Sequence, residues 1–361
     1  MAMTTPLQTT TNLAKQRFMF CGQVHTGESV PMLGHQHLIV ADVSGNIHRQ
    51  LTKGAFDVES FAVNPAGSNA YFVKVDRSGA RPDEVCVVAI NGQDTARLYT
   101  APGKGHHFSE LKASPDGKQL AMLHTFDGGH GAGGYKRITV LDLKTGKMRS
   151  AGRLDDSSTG WDWHGNTYIR VMLADPQANV SAISTICVAT GRGEISRSTT
   201  PGRTGGTAVS FGKGVTVVTR GAGDIILENA GNAERKVTIS LAMQQRMGFA
   251  PDGISLSTLR ERINGRIVVH TASRENEVTA FGVLDEKLAQ LDYWFMSPGN
   301  TVFAPKVNVA VAWRHIETRG EFGTPAMDSG MQWMALNRTD RWTSIFRNQV
   351  TVSGNRIIIL G

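Results

Sequence analysis

The chain of 361 residues carries 38 Lys and Arg against 31 Asp and Glu, a formal charge of +7, with 40% hydrophobic and 19% charged residues and 40 glycines. That composition is too apolar for a disordered chain and too rich in glycine for a helical bundle, which leaves a protein of strands and turns. The basic residues are scattered singly, without the basic clusters and exposed aromatics of a nucleic-acid groove, so no nucleic-acid partner is expected; an acidic surface or a glycan suits the charge better.

In chain order, residues 1–14 are polar and Thr-rich and read as a flexible arm, ahead of a single domain spanning 15–361. The N-terminus lacks a basic region followed by an apolar one, and no run approaches membrane-spanning length. The expected setting is therefore cytoplasmic, or a soluble assembly or virion, with no export signal. Strands are expected at Phe18 to Gly22, Leu38 to Val43 and Ile47 to Leu51, with a Ser44-Gly45-Asn46 turn between the last two. Next come ESFAVNPAGSNAYFVKV and EVCVVAINGQDTARLYT, then the best-formed unit, Phe108 to Lys147. Here Ser114-Pro115-Asp116-Gly117 and Lys144-Thr145-Gly146-Lys147 turn between apolar strands, because Pro presets φ and Gly accepts a positive one. Three separated cysteines, Cys21, Cys86 and Cys187, sit in strand-like runs and read as buried free thiols.

The first turn of that unit has counterparts at Gly67, Gly165, Gly214, Gly253, Gly299 and Gly354, at intervals of roughly 40–55 residues. Such a period with four strands per unit is the signature of a β-propeller, and no amphipathic helix long enough for a parallel α/β fold lies between the strands. The expected fold is all-β: a propeller of seven blades, each of four antiparallel strands. Pairing of the N- and C-terminal segments would close it, since QVTVSGNRIIILG has nothing after it and the first unit lacks an inner strand.

The pattern strand, SPDGK, strand, loop, strand, D-x-x-TGK, with IVADVSGNIHRQLTKG in the first unit, resembles the TolB-like, WD40-like repeats. These also occur in the propeller domains of prolyl-oligopeptidase-type enzymes. The resemblance covers nearly the whole chain and implies fold more than function.

In a blade whose first strand is innermost, the loops joining strands two and three share a rim with the connections between blades. That rim receives the loops Gly22 to Gln36, Val75 to Glu84, Thr125 to Lys136 and Arg314 to Gly330, and with them His25, His35, His37, His106, His107, His130 and His315. Long loops on a rigid scaffold are where binding resides. The His35-x-His37 and His106-His107 spacings suit a transition metal only if two blades meet, and otherwise describe solvated or backbone-bonded imidazoles; no metal and no cofactor are expected. Within 314–330, Phe322, Met327 and Met331 read as an apolar contact for other protein subunits. Trp161 and Trp163 alternate onto one face and serve either as packing anchors between blades or as stacking surfaces.

No GxSxG elbow, HExxH or P-loop is present, and Gly128 to Gly134 precedes a strand where a phosphate cradle would open a helix. A prolyl-oligopeptidase reading would also need an α/β catalytic domain after the propeller, and none is expected in these 361 residues. The leading expectation is accordingly a non-catalytic scaffold mediating protein–protein interactions, with a virion or tail component as one setting. Two alternatives stay open. One is a metal-assisted lyase or hydrolase acting on a carbohydrate or peptide at the propeller mouth, with the rim histidines as ligands or general bases. The other is a lectin-like propeller, against which the irregular spacing of Trp argues.

Overall fold

A computed structural model describes the backbone of residues 15–24, 34–92, 94–128, 134–154, 158–175 and 180–198 and of the strands named below between 209 and 360, with side chains chiefly up to residue 193. Among these residues there is no helix, and seven four-stranded antiparallel sheets are formed.

The first sheet contains β1 (Arg17–Val24), β2 (His37–Asp42) and β3 (Ile47–Gln50), the second β4 (Asp57–Val63), β5 (Asn69–Val75), β6 (Glu84–Ala89) and β7 (Thr95–Thr100). The third holds β8 (His106–Ala113), β9 (Gln119–Phe126), β10 (Tyr135–Asp142) and β11 (Met148–Leu154). The fourth is β12 (Ser158–His164), β13 (Tyr168–Asp175), β14 (Val180–Cys187) and β15 (Gly193–Ser198). The fifth is β16 (Val209–Phe211), β17 (Val215–Thr219), β18 (Ile225–Asn229) and β19 (Asn232–Ile239). The sixth is β20 (Ile254–Ile263), β21 (Arg266–Ser273), β22 (Thr279–Asp285) and β23 (Gln290–Ser297). The seventh is β24 (Asn300–Ala304), β25 (Val309–Arg319), β26 (Pro325–Ala335) and β27 (Thr343–Ser344). The last strand, β28 (Val350–Ile359), returns to the first sheet, where it pairs antiparallel with β1, Phe18 opposite Ile359 and Val24 opposite Val350.

The turns follow from their side chains. Gly67, Gly117 and Gly165 all hold φ near the left-handed region, at 68°, 70° and 64°, as the repeated first turn requires. At the middle one, Ser114 Oγ donates to Asp116 at 2.7 Å and accepts the Gln119 amide at 3.0 Å. The D-x-x-TGK turn works similarly: Asp142 Oδ1 accepts the amides of Lys144 and Thr145 and the Thr145 hydroxyl. These carboxylates are thereby engaged in backbone capping. Gly214, Gly253 and Gly299 lie outside the described residues. Gly354 is a correction: it lies within β28, where the pairing shifts register between Phe20 and Gly22 of β1, so it belongs to a bulged strand and makes no hairpin turn.

The chain divides into two compact units, residues 54–259 and residues 1–53 with 260–361. In the first of these, one apolar cluster joins the second and third sheets through Tyr71, Val73 and Val85 with Phe108, Leu111, Leu120 and Met122. Another joins the third and fourth through Leu123, Ile138 and Val140 with Trp161, Ile169 and Val171. Trp161 is buried and Trp163 half-buried against it, so the packing alternative holds for this pair. The other unit is built on Phe18, Phe20, Ile39, Val311, Met331 and Ile357. Cys21 and Cys86 are buried and Cys187 is partly so, all free thiols, and burial pushes the Cys86 thiol up to about 11.

The segment expected as the loop Arg314 to Gly330 is a second correction. β25 and β26 form one long hairpin, paired from Val309 opposite Ala335 to Arg319 opposite Pro325. The ladder satisfies backbone groups whatever the side chains, so charge and glycine in this stretch did not prevent pairing.

Candidate functional site

On the third sheet, each of three neighbouring strands brings a pair of residues two apart to one face: His106 and Phe108 from β8, His124 and Phe126 from β9, Tyr135 and Arg137 from β10. The register aligns them in two rows, His106 with Phe126 and Tyr135, and Phe108 with His124 and Arg137. Because side chains alternate across a strand, residues in these rows share a face. The rings meet accordingly, with centroids 4.4 Å apart for His106 and Phe126, 5.1 Å for His106 and His124, and 5.4 Å for His124 and Tyr135.

A polar chain runs through this face. Arg137 has only donors, and its Nε lies 3.3 Å from His124 Nδ1. That nitrogen of His124 must accept, so the ring proton sits on Nε2 and is donated to His106 Nδ1, 2.9 Å away. His106 in turn carries its own proton on Nε2, for which no partner exists among the described residues. Burial, then the Arg137 charge, then His106 lower the His124 pKa to about 4, and its ring is only 2% exposed, so it is neutral at physiological pH. His106 is lowered for the same first two reasons and by its neighbour His107.

His107 has a different partner. Its Nδ1 lies 3.6 Å from Oδ2 of Asp83, a carboxylate only 4% exposed that also accepts the Phe108 amide at 3.0 Å. Burial raises the Asp83 pKa, against the hydrogen bond from Phe108 and the attraction of His107. The His107 side chain is 53% exposed. The arrangement is a solvent-facing imidazole with one nitrogen toward a buried acid, at a separation just beyond hydrogen-bond length. β8 is bent below these residues: Glu110 holds a φ of 50°, register shifts between Ser109 and Lys112, and the Leu111 amide donates to Ser60 Oγ at 3.0 Å.

The other residues singled out from sequence are less concentrated. His37 Nδ1 lies 3.3 Å from the Thr52 hydroxyl, and the His35 and His37 ring centroids are 6.5 Å apart. His25, His130 and Phe322 lie outside the described residues. His315 and Met327 are strand residues of the seventh sheet, opposite Ser329 and Glu317, and not loop residues as expected. Met331 corrects its own assignment: it is 1% exposed, in the core with Val311 and Ile345, because alternation along β26 turns it inward. Sequence reading missed Asp83, His124, Tyr135 and Arg137. The signal available was the x-polar-x-aromatic alternation in LHTF and YKR at the same distance from their shared loop. Among the described residues, no three of His, Cys, Asp and Glu are grouped to hold a metal ion.

No family model matches the chain. Among solved structures it is similar to the acylaminoacyl peptidase of Pyrococcus horikoshii, with 10% identity over 92% of this chain and 51% of that one and a TM-score of 0.52. The architecture is a β-propeller. This chain spans about half the length of that peptidase. The oligogalacturonate lyase of Vibrio parahaemolyticus is similar at 11% identity, over 92% of this chain and 86% of that one, TM-score 0.48. TolB of Acinetobacter baumannii is similar at 15% identity, over 75% and 62%, TM-score 0.41.

The expectation of a non-catalytic scaffold or virion subunit is corrected by this likeness, since the acylaminoacyl peptidase with which the chain shares its fold is an enzyme. Low identity limits the likeness to the fold itself.

Proposed function

We propose that the protein is an enzyme of the hydrolase or lyase type acting on a carbohydrate or a peptide, with His107 as general base. The observation that carries this reading is the His107 Nδ1 contact with the buried carboxylate of Asp83, 3.6 Å away, on an imidazole otherwise open to solvent. At 3.6 Å the contact is longer than a hydrogen bond, and the reading has it shorten when a ligand binds, so that Asp83 accepts the Nδ1 proton of His107 and leaves Nε2 as an acceptor. It removes a proton from a water molecule in hydrolysis, or from a carbon beside a carboxylate or carbonyl in elimination. Asp83 is fixed by the Phe108 amide and its own burial, so the carboxylate is in place before any ligand arrives. His106, made neutral with its proton on Nε2, offers a hydrogen bond and no charge.

The test is turnover by the purified protein of a panel comprising oligogalacturonates, neutral oligosaccharides and N-acylated peptides, alongside His107→Gln. The reading expects turnover of at least one class and a loss of about 100-fold or more in the variant, the usual weight of a positioned base. Turnover by the variant at the wild-type rate, or none of the panel by either protein, overturns it.

A further inference from the structure

A pocket of about 330 Å³ opens on the third sheet, away from His107, between Gly134, Tyr135, Arg137, Ser150 and Arg153. Its two arginines are direct cross-strand partners, Arg137 of β10 opposite Arg153 of β11. Like charges placed directly opposite destabilise a strand pair, so the arrangement costs stability unless something negative lies between them. Among the described residues no carboxylate pairs with either one. The hydrogen bonds that Arg137 does make are to a neutral ring, His124, so among the described residues no anion offsets its charge.

Arg137 is also held in place. Its guanidinium lies 4.4 Å from the centre of the Tyr135 ring and is pinned by Nε and Nη2 on His124 Nδ1, each at 3.3 Å. A guanidinium fixed on two sides loses little freedom when its remaining N–H groups engage a ligand. The lining adds the Ser150 hydroxyl, and the bare backbone of Gly134, where a Cβ would stand 2.8 Å from the Phe126 carbonyl oxygen. Opposite Ser150 in the register, the buried Thr139 hydroxyl has no hydrogen-bond partner, so the row below the pocket also holds an unused polar atom.

We propose that this pocket is an oxyanion-binding site in which Arg137 and Arg153 grip a phosphate or carboxylate group of a bound ligand. Two guanidinium forks converge on a planar or tetrahedral oxyanion and a hydroxyl supplies a third donor. The site is independent of the His107 reading, being formed by other strands and other residues.

Calorimetric titration of the full chain with inorganic phosphate and, separately, with citrate tests it, for the wild type, Arg153→Gln and Arg153→Lys. Arg153 is exposed and stands opposite a like charge, so the variants are expected to melt at or above the wild-type temperature. The expected result is salt-sensitive binding of at least one anion, weakened about tenfold or more in Arg153→Gln and less in Arg153→Lys, since charge-assisted bidentate bonds are the strong ones. Binding of phosphate alone assigns a phosphoryl ligand, and of citrate alone a carboxylate ligand. Binding of neither, or equal binding by the wild type and Arg153→Gln, overturns the proposal.

Discussion

His124 accepts from Arg137 at Nδ1 and therefore turns its Nε2 proton to His106, 2.9 Å away, so that one guanidinium sets the tautomer of two imidazoles in succession. The cost is paid in pH sensitivity. In the unfolded chain His124 titrates near its ordinary 6.5, and in the folded protein near 4. Between those values the unfolded state binds a proton that the folded state refuses, so stability falls as pH drops through that window. Denaturant melts from pH 7 to 4 should lose stability by up to roughly 3 kcal/mol from this group. His124→Gln, whose amide can both accept and donate without titrating, should flatten that part of the curve.

Asp83 permits a separation of structural from chemical roles. Its carboxylate accepts the buried Phe108 amide, so Asp83→Ala leaves that donor unmet and should destabilise by about 1–3 kcal/mol. Asp83→Asn keeps an acceptor in place and should melt close to the wild type. Both should lose activity if the carboxylate orients His107, measured as kcat/KM beside thermal melting. An Asp83→Asn protein of full activity would reduce Asp83 to a structural latch between the second and third sheets.

The burial of Met331 makes a plain prediction about packing. Met331→Ala, in the cluster with Val311 and Ile345, should cost about 2–5 kcal/mol, the range for truncating a buried long side chain. A substitution at a surface contact would fall within about 0.5 kcal/mol of zero. Chemical denaturation distinguishes the two.

Removing the residues after Asn348 deletes β28, bares the edge of β1 and takes Ile357 out of the core. Insoluble protein or a sharply lower melting temperature is expected, because an unpaired strand edge invites aggregation. A soluble truncation with unchanged melting would show that the β1 and β28 pairing contributes nothing.

The first three sheets were legible because their turns carry their own chemistry. The tetrapeptide Val43-Ser44-Gly45-Asn46 and the identical Val352-Ser353-Gly354-Asn355 show where that legibility stops. In the first, Gly45 turns at a φ of 86° and the preceding Asp42 accepts the amides of Ser44 and Asn46. In the second, Thr351 stands where Asp42 does, and the chain continues as β28. The turn resides in the aspartate as much as in the glycine. The site was half legible for a related reason. Adjacent His106 and His107 stand out in sequence, but His124 is one polar residue in the apolar run LAMLHTF, and only the register of β8, β9 and β10 reveals that it faces Arg137. Met331 and the β25–β26 hairpin failed in the opposite direction, because polar composition hid a strand pair.

The direction of the Arg137, His124 and His106 chain decides whether the third sheet presents a neutral hydrogen-bond donor at this end, and nitrogen NMR of the histidine rings at neutral pH reads it directly. Both rings should be neutral with the proton on Nε2, and Arg137→Met should release His124 to exchange between tautomers. A proton on Nδ1 of His106 in the wild type, or a charged His124, would contradict the arrangement on which the site is built.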